Sequence, residues 1–386
     1  MIWVITPLLI LFILYALLLF FYRKNWLQMP LVKAAENYNP STSISVIIPA
    51  RNEAANIAAC LFSVIEQDYP GNLFEIIVVD DHSEDNTAEI AIRLSEMYPN
   101  LSCIRLKTTD ENITAYKKKA LETGIKAAKG SLIVTTDADC IVPENWLKNM
   151  AAYYESKKAV FIAAPVLIPP VTLREGATVR LVTLFQSLDF LTLQGITGAS
   201  VFANFHTMCN GANLAYEKKV FEEAEGFAGI DTIASGDDML LMYKIYKKYP
   251  DRVHYLKSKE VIVVTQPAFT WKAFFNQRIR WASKASMYDD KRIFWVLLIV
   301  YLFNLVLLVA FVTAFFLSGL WFYWLSVFLL KILYELFFLA PVAKFFDQQK
   351  LLWWFPFMEP LHIIYTVIAG FLGNFKKYEW KGRKVK

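Results

Sequence analysis

Cysteine is scarce in this sequence and does not cluster. The 386 residues contain four cysteines, and none forms a C-x-x-C pair with another. Disulfide frameworks and structural zinc sites depend on paired or closely grouped cysteines, so neither is predicted. Scattered thiols are typical of a chain in the reducing cytosol.

Glycine-rich phosphate loops, internal repeats and low-complexity segments are also absent. Without a P-loop or a kinase-type glycine loop, a nucleotidyl or phosphoryl transferase of those classes is disfavoured. The net charge of +5 is mild, and basic residues gather beside apolar runs, in Lys272–Lys291 and Lys376–Lys386. That distribution suits anionic lipid head groups and argues against a nucleic-acid partner.

Charge is missing from the whole N-terminal stretch Met1–Tyr22, which Arg23 and Lys24 follow. The stretch is long enough to cross a bilayer as a helix, whereas a cleavable signal peptide places its charges before a shorter apolar core. We therefore expect a retained membrane anchor over residues 1–24. Because basic residues flank the cytosolic end of a span, the N-terminus is expected outside. Pro30–Pro40 is predicted to be a linker.

A second uncharged stretch runs from Ile293 to Leu330. We expect a C-terminal membrane region over residues 293–375, with spans at 293–317 and 320–342 and a third apolar segment at 351–373 that prolines, Glu359 and His362 interrupt. Lys331 and Glu335 are spaced to pair on one helical face; they either line an acceptor passage or neutralise each other. The basic tail is expected in the cytosol, and His362 is expected to be structural.

Between the apolar ends, short β-branched runs alternate with helical patterns. Strands are predicted at 43–49, 74–79, 101–106 and 131–136, and helices at 54–67, 87–97 and 117–130, the last capped by Gly130. This alternation predicts an α/β domain with a mostly parallel sheet, placed over residues 41–282. Ligands in such domains bind beyond the carboxyl ends of the strands.

Acidic residues stand at those predicted strand ends. Asp80 and Asp81 follow one strand, and Asp137 and Asp139 follow another. A carboxylate there is costly unless it is solvated, paired or coordinating. The D-x-D pair suits Mg²⁺ or Mn²⁺; alternatively Asp137 caps a helix and Asp139 is solvated.

A further acidic pair, Asp237 and Asp238, precedes a helical pattern, where acids favour the helix dipole and one carboxylate remains able to act as a base. Downstream, Gln277, Arg280 and Trp281 share one face if the segment is helical. They either grip a phosphate-bearing substrate or anchor a helix at the lipid, with Arg278 the expected lipid anchor.

Taken in order, these motifs resemble the membrane-integrated family 2 glycosyltransferases, a group that includes cellulose, poly-N-acetylglucosamine and hyaluronan synthases and ceramide glucosyltransferases. The motifs are P-x-R-N-E from Pro49 to Glu53, the two acidic pairs, D-x-D and Q-x-x-R-W. The resemblance implies a GT-A-type Rossmann-like domain flanked by transmembrane helices. It covers roughly Ser43 to Trp281.

The resemblance also implies roles for particular residues. Donor binding falls to Pro49, Arg51, Glu53, Asp80, Asp81 and Asp137, and to a lysine among Lys117–Lys119, with Lys118 and Lys119 favoured. Asp139 is the main metal ligand, with Asp137 beside it, for Mg²⁺ or Mn²⁺. Asp238 is the catalytic base and Asp237 the second candidate. Acceptor and diphosphate contacts are implied for Asn210, Gly211, Gln277, Arg280 and Trp281.

The implied activity is an inverting transfer of a hexosyl or N-acetylhexosaminyl group from a nucleotide sugar, most simply a UDP-linked one. The expected acceptor is a membrane lipid or a growing glycan, because residues 282–292 between Trp281 and the next span reach only about 15 Å as a helix. The expected location is the bacterial plasma membrane of the cell envelope, with the catalytic domain in the cytosol. Alternatives are a processive polysaccharide synthase, working as an oligomer or with a partner subunit, and a non-catalytic nucleotide-sugar-binding relative.

Overall fold

In this computed structural model, the described residues are 1–107, 115–170, 176–231, 233, 236–283, 290–373, 378–380 and 383–385. They form two compact units, each built from separate stretches of the chain. The sheet unit comprises Pro30–Pro169, Thr207–Gln266 and Glu379–Lys386, and the helical unit comprises Met1–Met29, Pro170–His206 and Pro267–Tyr378. Parts of both predicted basic segments, and residues 234 and 235 before the second acidic pair, lie outside the described residues.

The sheet unit contains a seven-stranded sheet with the order β3-β2-β1-β4-β7-β5-β8. Its strands are β1 (Ile44–Ala50), β2 (Phe74–Asp80), β3 (Leu101–Arg105), β4 (Leu132–Thr135), β5 (Phe161–Ala163), β7 (Leu214–Glu217) and β8 (Val253–Tyr255). A parallel pair, β6 (Val166–Leu167) and β9 (Val263–Val264), forms a small second sheet, and β10 (Tyr378–Trp380) pairs with β11 (Arg383–Val385). The helices of this unit are α2 (Ile57–Ile65), α3 (Thr87–Met97), α4 (Tyr116–Ala127), α5 (Trp146–Lys157), α7 (Lys218–Glu223) and α8 (Asp237–Lys248).

The first four strands of the large sheet are parallel neighbours, as the sequence predicts. Ile76, Val46 and Val134 lie in register across three of them and are all fully buried. Strands buried on both faces read as continuous apolar runs, which is why the pattern identifies them. The strand β7 is antiparallel to β4 and β5, a feature without such a signal.

Gly130 is not the helix cap that the sequence predicts. The helix α4 ends at Ala127, and the extended residue Ala128 caps it with a backbone hydrogen bond to the carbonyl oxygen of Gly124. Gly130 instead packs against the start of β1, where a Cβ would lie 2.5 Å from the backbone of both Ile44 and Ser45. Glycine is required there by the close approach of two backbones.

The helical unit contains α1 (Ile2–Gln28), α6 (Ala177–Phe202), α9 (Trp271–Ala282), α10 (Lys291–Ala314), α11 (Leu320–Phe345) and α12 (Phe355–Gly373). Within the described residues, four helical stretches are long and apolar enough to cross a membrane: Ile2–Gln28, Lys291–Ala314, Leu320–Phe345 and Gln349–Leu372. The predicted apolar segments are therefore helices, and α11 begins after Gly319, at the predicted break. The helix α6 was not predicted from the sequence, because buried polar residues interrupt its apolar pattern.

A buried ionic cluster lies among the long helices. Lys331 contacts Glu335, with the ammonium 2.5 Å from one carboxylate oxygen, and also contacts Glu359. The Tyr15 hydroxyl donates a hydrogen bond to Glu335. Glu335, Glu359 and His362 present ligand atoms within 4.8 Å of one another, but the Lys331 ammonium already contacts both carboxylates. Of the two predicted alternatives for Lys331 and Glu335, the contacts favour mutual neutralisation.

Candidate active site

The sheet unit brings acidic residues to one edge because β1, β2 and β4 are parallel and end together. Asp80 is the last residue of β2 and is buried, with one carboxylate oxygen accepting from the Ser83 backbone amide at 3.4 Å. Its other oxygen is buried without a hydrogen-bond partner among the described residues. A buried carboxylate oxygen left in this state is suited to receive a ligand's donor group.

Arg51 lies next to this edge of the sheet, but its side chain contacts the loop that follows β2. Its buried guanidinium donates to the carbonyl oxygens of Asp81 at 2.9 Å and His82 at 2.6 Å, and pairs with Glu84 at 2.9 Å. The arginine therefore joins the loop after β1 to the loop after β2. Two loops fixed to each other form a rigid rim for a ligand.

Glu53 and Asp81, the predicted nucleoside contacts, are both buried at this rim. The Glu53 carboxylate accepts from the Asn56 side chain at 2.8 Å, and the Asp81 carboxylate lies 3.0 Å from the His82 ring. Pro49 is within β1 itself, so it contributes backbone geometry next to the rim.

Lys117, rather than Lys118 or Lys119, meets the acidic motifs. Its ammonium lies 2.6 Å from an Asp137 oxygen and 3.6 Å from an Asp237 oxygen, and so joins the D-x-D motif to the second acidic pair. Burial lowers the pKa of Lys117, but Asp137 and Asp237 raise it by more, so its pKa is above the usual lysine value. The lysine is therefore a fixed positive charge in the site.

The two lysines that the sequence favoured point elsewhere. Lys118 is 2% exposed and donates to the Ile233 carbonyl oxygen, and burial lowers its pKa. Lys119 is half exposed and lies 3.8 Å from Glu122 on its own helix. Consecutive helical residues face different directions, so only one of the three lysines reaches the acids.

The second acidic pair opens α8, after Gly236 in a left-handed conformation. Asp238 accepts a hydrogen bond from the Gly211 amide at 3.0 Å. A Cβ on Gly211 would lie 3.4 Å from the Lys117 ammonium and 3.6 Å from an Asp237 oxygen, so this glycine lines the same cluster. Next to it, the Asn210 side chain accepts from the Ala212 amide at 3.0 Å and shapes the turn.

Carboxylate oxygens at this edge fit a hard divalent ion. Asp137 and Asp139 are both half-buried, separated by one residue just after β4. Oxygen ligands from one or two carboxylates are what Mg²⁺ uses in phosphate-handling sites. Cys60 and Cys140 lie nearby, but burial raises the pKa of both thiols and keeps them protonated. Protonated thiols are poor ligands for the ion.

The predicted Q-x-x-R-W residues belong to the helical unit. Gln277, Arg280 and Trp281 lie on α9 and are all partly buried, so the segment is helical, the condition under which they share one face. Arg278 was expected to anchor the chain at lipid, and this expectation is wrong. Its side chain is 3% exposed and pairs with buried Asp189 of α6.

A known family matches part of the chain. Residues 45–223 match the model "Glycosyl transferase family 2". The probable glycosyltransferase YdaM of Bacillus subtilis is 28% identical over 257 residues, covering 65% of this chain and 57% of that protein. The beta-monoglucosyldiacylglycerol synthase of Synechocystis is 29% identical over 127 residues, covering 33% of this chain and 26% of that enzyme. The chain thus spans little more than half the length of one relative and about a quarter of the other.

A solved structure has the same fold. The mannosyltransferase PcManGT from Pyrobaculum calidifontis, in complex with GDP-Man and Mn²⁺, aligns with a TM-score of 0.58 at 20% identity, over 95% of this chain and 99% of that chain. Residues 45–223 are therefore a family 2 glycosyltransferase domain with the GT-A fold. The predicted fold class and family are both confirmed.

Proposed function

We propose that this protein transfers a sugar from a nucleotide sugar to an acceptor rooted in the membrane, with inversion at the anomeric carbon. The observation that carries the proposal is the contact of Lys117 with Asp137 and Asp237, which joins the donor-side motif to the acid pair beside Gly211. In a domain of this family, that cluster has the charges that a diphosphate leaving group and an attacking hydroxyl require.

Asp238 is assigned as the base. It is half-buried, and its two carboxylate oxygens accept from the amides of Gly211 at 3.0 Å and Met239 at 2.8 Å, so the carboxylate is held in a fixed orientation. Asp237 is more deeply buried and lies beside the Lys117 ammonium, which lowers its value as a proton acceptor. A carboxylate near the acceptor hydroxyl removes the proton as the oxygen attacks the anomeric carbon.

Binding of the nucleotide-sugar donor is assigned to the rim formed by the loops after β1 and β2 and to the D-x-D motif. Asp80, Asp81 and Glu53 supply acceptors for a nucleoside, and Lys117 a fixed positive charge for its diphosphate. Asp139 and Asp137 would hold Mg²⁺ or Mn²⁺, which neutralises charge on the departing diphosphate. On the motif alone, Gln277, Arg280 and Trp281 are assigned to diphosphate and acceptor contacts.

A lipid or lipid-linked acceptor is favoured over a soluble one. The supporting observation is that four helical stretches in the described part of the chain are long and apolar enough for a membrane. One relative is named a beta-monoglucosyldiacylglycerol synthase, so a lipid product is consistent with the family. Addition of a single sugar is favoured over polymer synthesis, because the candidate membrane helices in the described part of the chain are few for a polymer channel formed by one molecule.

The experiment is to incubate the full chain in membranes with each labelled nucleotide sugar, beginning with UDP-linked ones, with and without Mn²⁺. Label should enter the organic-solvent phase in the presence of the ion and should disappear on chelation. Label found only in long water-soluble polymer would replace the lipid acceptor by a polysaccharide. No transfer from any donor would leave a non-catalytic nucleotide-sugar-binding protein as the better description.

The sheet unit is assigned to the cytosol, with the N-terminus outside. Arg23 and Lys24 at the end of α1 support this orientation. The C-terminal stretch Glu379–Lys386 groups with the sheet unit, which supports a cytosolic tail. Protease added to intact cells should leave the sheet unit uncut, whereas inside-out vesicles should expose it; the reverse pattern would overturn the assignment.

A further inference from the structure

The helix α9 is held at two points by one face of α6, within the helical unit. Gln186 and Asp189 are three residues apart, so they lie on the same side of α6. The buried Gln186 amide donates to the Ala268 carbonyl oxygen at 2.6 Å and accepts from the Ala268 amide at 3.0 Å. Both backbone groups of the residue leading into α9 are thereby engaged.

The second point is the ion pair of Asp189 with Arg278. The same carboxylate accepts from the Tyr365 hydroxyl at 2.8 Å and lies 3.9 Å from the His362 ring. Three elements, α6, α9 and α12, therefore meet at one buried acid. Such a pair contributes little net stability but fixes geometry, since an unpaired charge in its place is costly.

Arg278 transmits this contact to the Q-x-x-R-W motif. Its guanidinium carbon lies 4.2 Å from the Trp281 ring centroid and 4.9 Å from that of Phe274. Since Arg278 follows Gln277 and precedes Arg280 by two residues, its fixed side chain sets the rotation of the whole motif about the helix axis. A guanidinium against an aromatic face also restrains the Trp281 ring itself.

We infer that Asp189 and Gln186 of α6 are positioning residues, which orient the Q-x-x-R-W motif through Arg278 and Ala268. The inference rests on the proposed function for its catalytic consequence, because that function assigns the motif to diphosphate and acceptor contacts. The orientation of α9 does not depend on the activity, so the two can be tested separately.

The test compares Asp189→Asn with Thr192→Val in the full chain. Thr192 lies one turn further along α6 and donates only to the Leu188 carbonyl oxygen at 3.1 Å, so its loss should leave α9 untouched. Asp189→Asn should make the amides of α9 exchange with solvent about tenfold faster or more. It should also reduce kcat/KM for the donor about a hundredfold, as a small misplacement of a binding motif does.

A double variant, Asp189→Asn with Arg278→Gln, separates positioning from simple stability. Two amides leave no buried unpaired charge, so the thermal midpoint should return towards the native value. Transfer should stay low, because the guanidinium against Trp281 is gone. Transfer that recovers together with stability would overturn the inference, as would unchanged α9 exchange in Asp189→Asn. A native chain that transfers no sugar would refute the proposed function, and α9 exchange would still decide the positioning.

Discussion

One ammonium group, that of Lys117, connects motifs that lie far apart along the sequence. It lies within ion-pair distance of both Asp137 and Asp237. Two carboxylates this close together would repel each other without it. The lysine thus has two tasks: it balances the acids in the resting site, and it offers its positive charge to an incoming diphosphate.

Replacing Lys117 by methionine should weaken binding of a nucleoside diphosphate by about tenfold to a hundredfold, the value of one charge-assisted hydrogen bond. The matched control is Lys119→Met, two residues away on the same helix and half exposed beside Glu122. Calorimetric titration of both variants measures the difference. Equal affinities would show that Lys117 serves only to balance the acids.

Asp238→Asn should lower transfer by about a hundredfold to ten-thousandfold, because it removes the proton acceptor. The change keeps the side-chain volume, so binding of the nucleotide sugar should remain close to native. Measuring turnover and binding on the same preparation distinguishes the two effects. Full turnover in this variant would move the role of base to Asp237, whose own asparagine variant is the natural companion.

The sequence predicted that acids lie at the ends of two strands, as they do, but it did not predict which lysine lies beside them. Asp80 and Asp137 could be identified because each follows a predicted strand rich in β-branched residues. The choice among three consecutive lysines depends on the rotation of α4 against the sheet, which no local pattern encodes. Arg278 was misjudged because its partner Asp189 lies in a helix that the pattern did not reveal.

At the level of elements, α4 and the turn after it lie very close to β1. This close approach sets the distance between the helix layer and the sheet. Gly124 lies where a Cβ would come within 2.6 Å of an Ile47 side-chain carbon, and Gly130 lies against backbone. Side chains can shift by rotation, but the backbone of a central strand cannot. The two glycines should therefore differ in their tolerance of substitution.

Gly130→Ala should destabilise the protein by about 1–3 kcal/mol, the usual cost of overpacking. Gly71→Ala is the control, since a Cβ there meets nothing within 4 Å. Thermal unfolding of the full chain in detergent gives both midpoints, and the Gly130 variant should melt lower. Indistinguishable midpoints would mean that β1 yields more readily than a central parallel strand should.

At the level of the whole molecule, the chain alternates between its two units. Three stretches build the helical unit and three build the sheet unit, in strict alternation along the sequence. The sequence predicted the long apolar helices by composition, but it could not predict this interleaving, because contacts between distant stretches leave no local signal. The Lys331 cluster shows how far apart the contributing stretches are: α1, α11 and α12 each supply a member.

Lys331→Met should destabilise the helical unit by about 3–5 kcal/mol, because it leaves Glu335 and Glu359 as buried acids without their cation. The control is Lys344→Met on the same helix, where the lysine is exposed. Thermal inactivation of the full chain in detergent should separate the variants clearly. A Lys331 variant as stable as the control would show that protonation of the acids compensates for the lost ammonium.

The hydrogen bond from Tyr15 to Glu335 can form only late in biosynthesis. The two residues are 320 positions apart, so at ordinary translation rates of about 5–20 residues per second the tyrosine precedes its partner by roughly 15 to 60 s. For most of that interval α10 and α11, two of the helices that pack against α1, have not yet been made. A ribosome that stalls before α11 therefore leaves a helix whose Tyr15 hydroxyl has no Glu335 to bind, a product recognisable to cellular quality control.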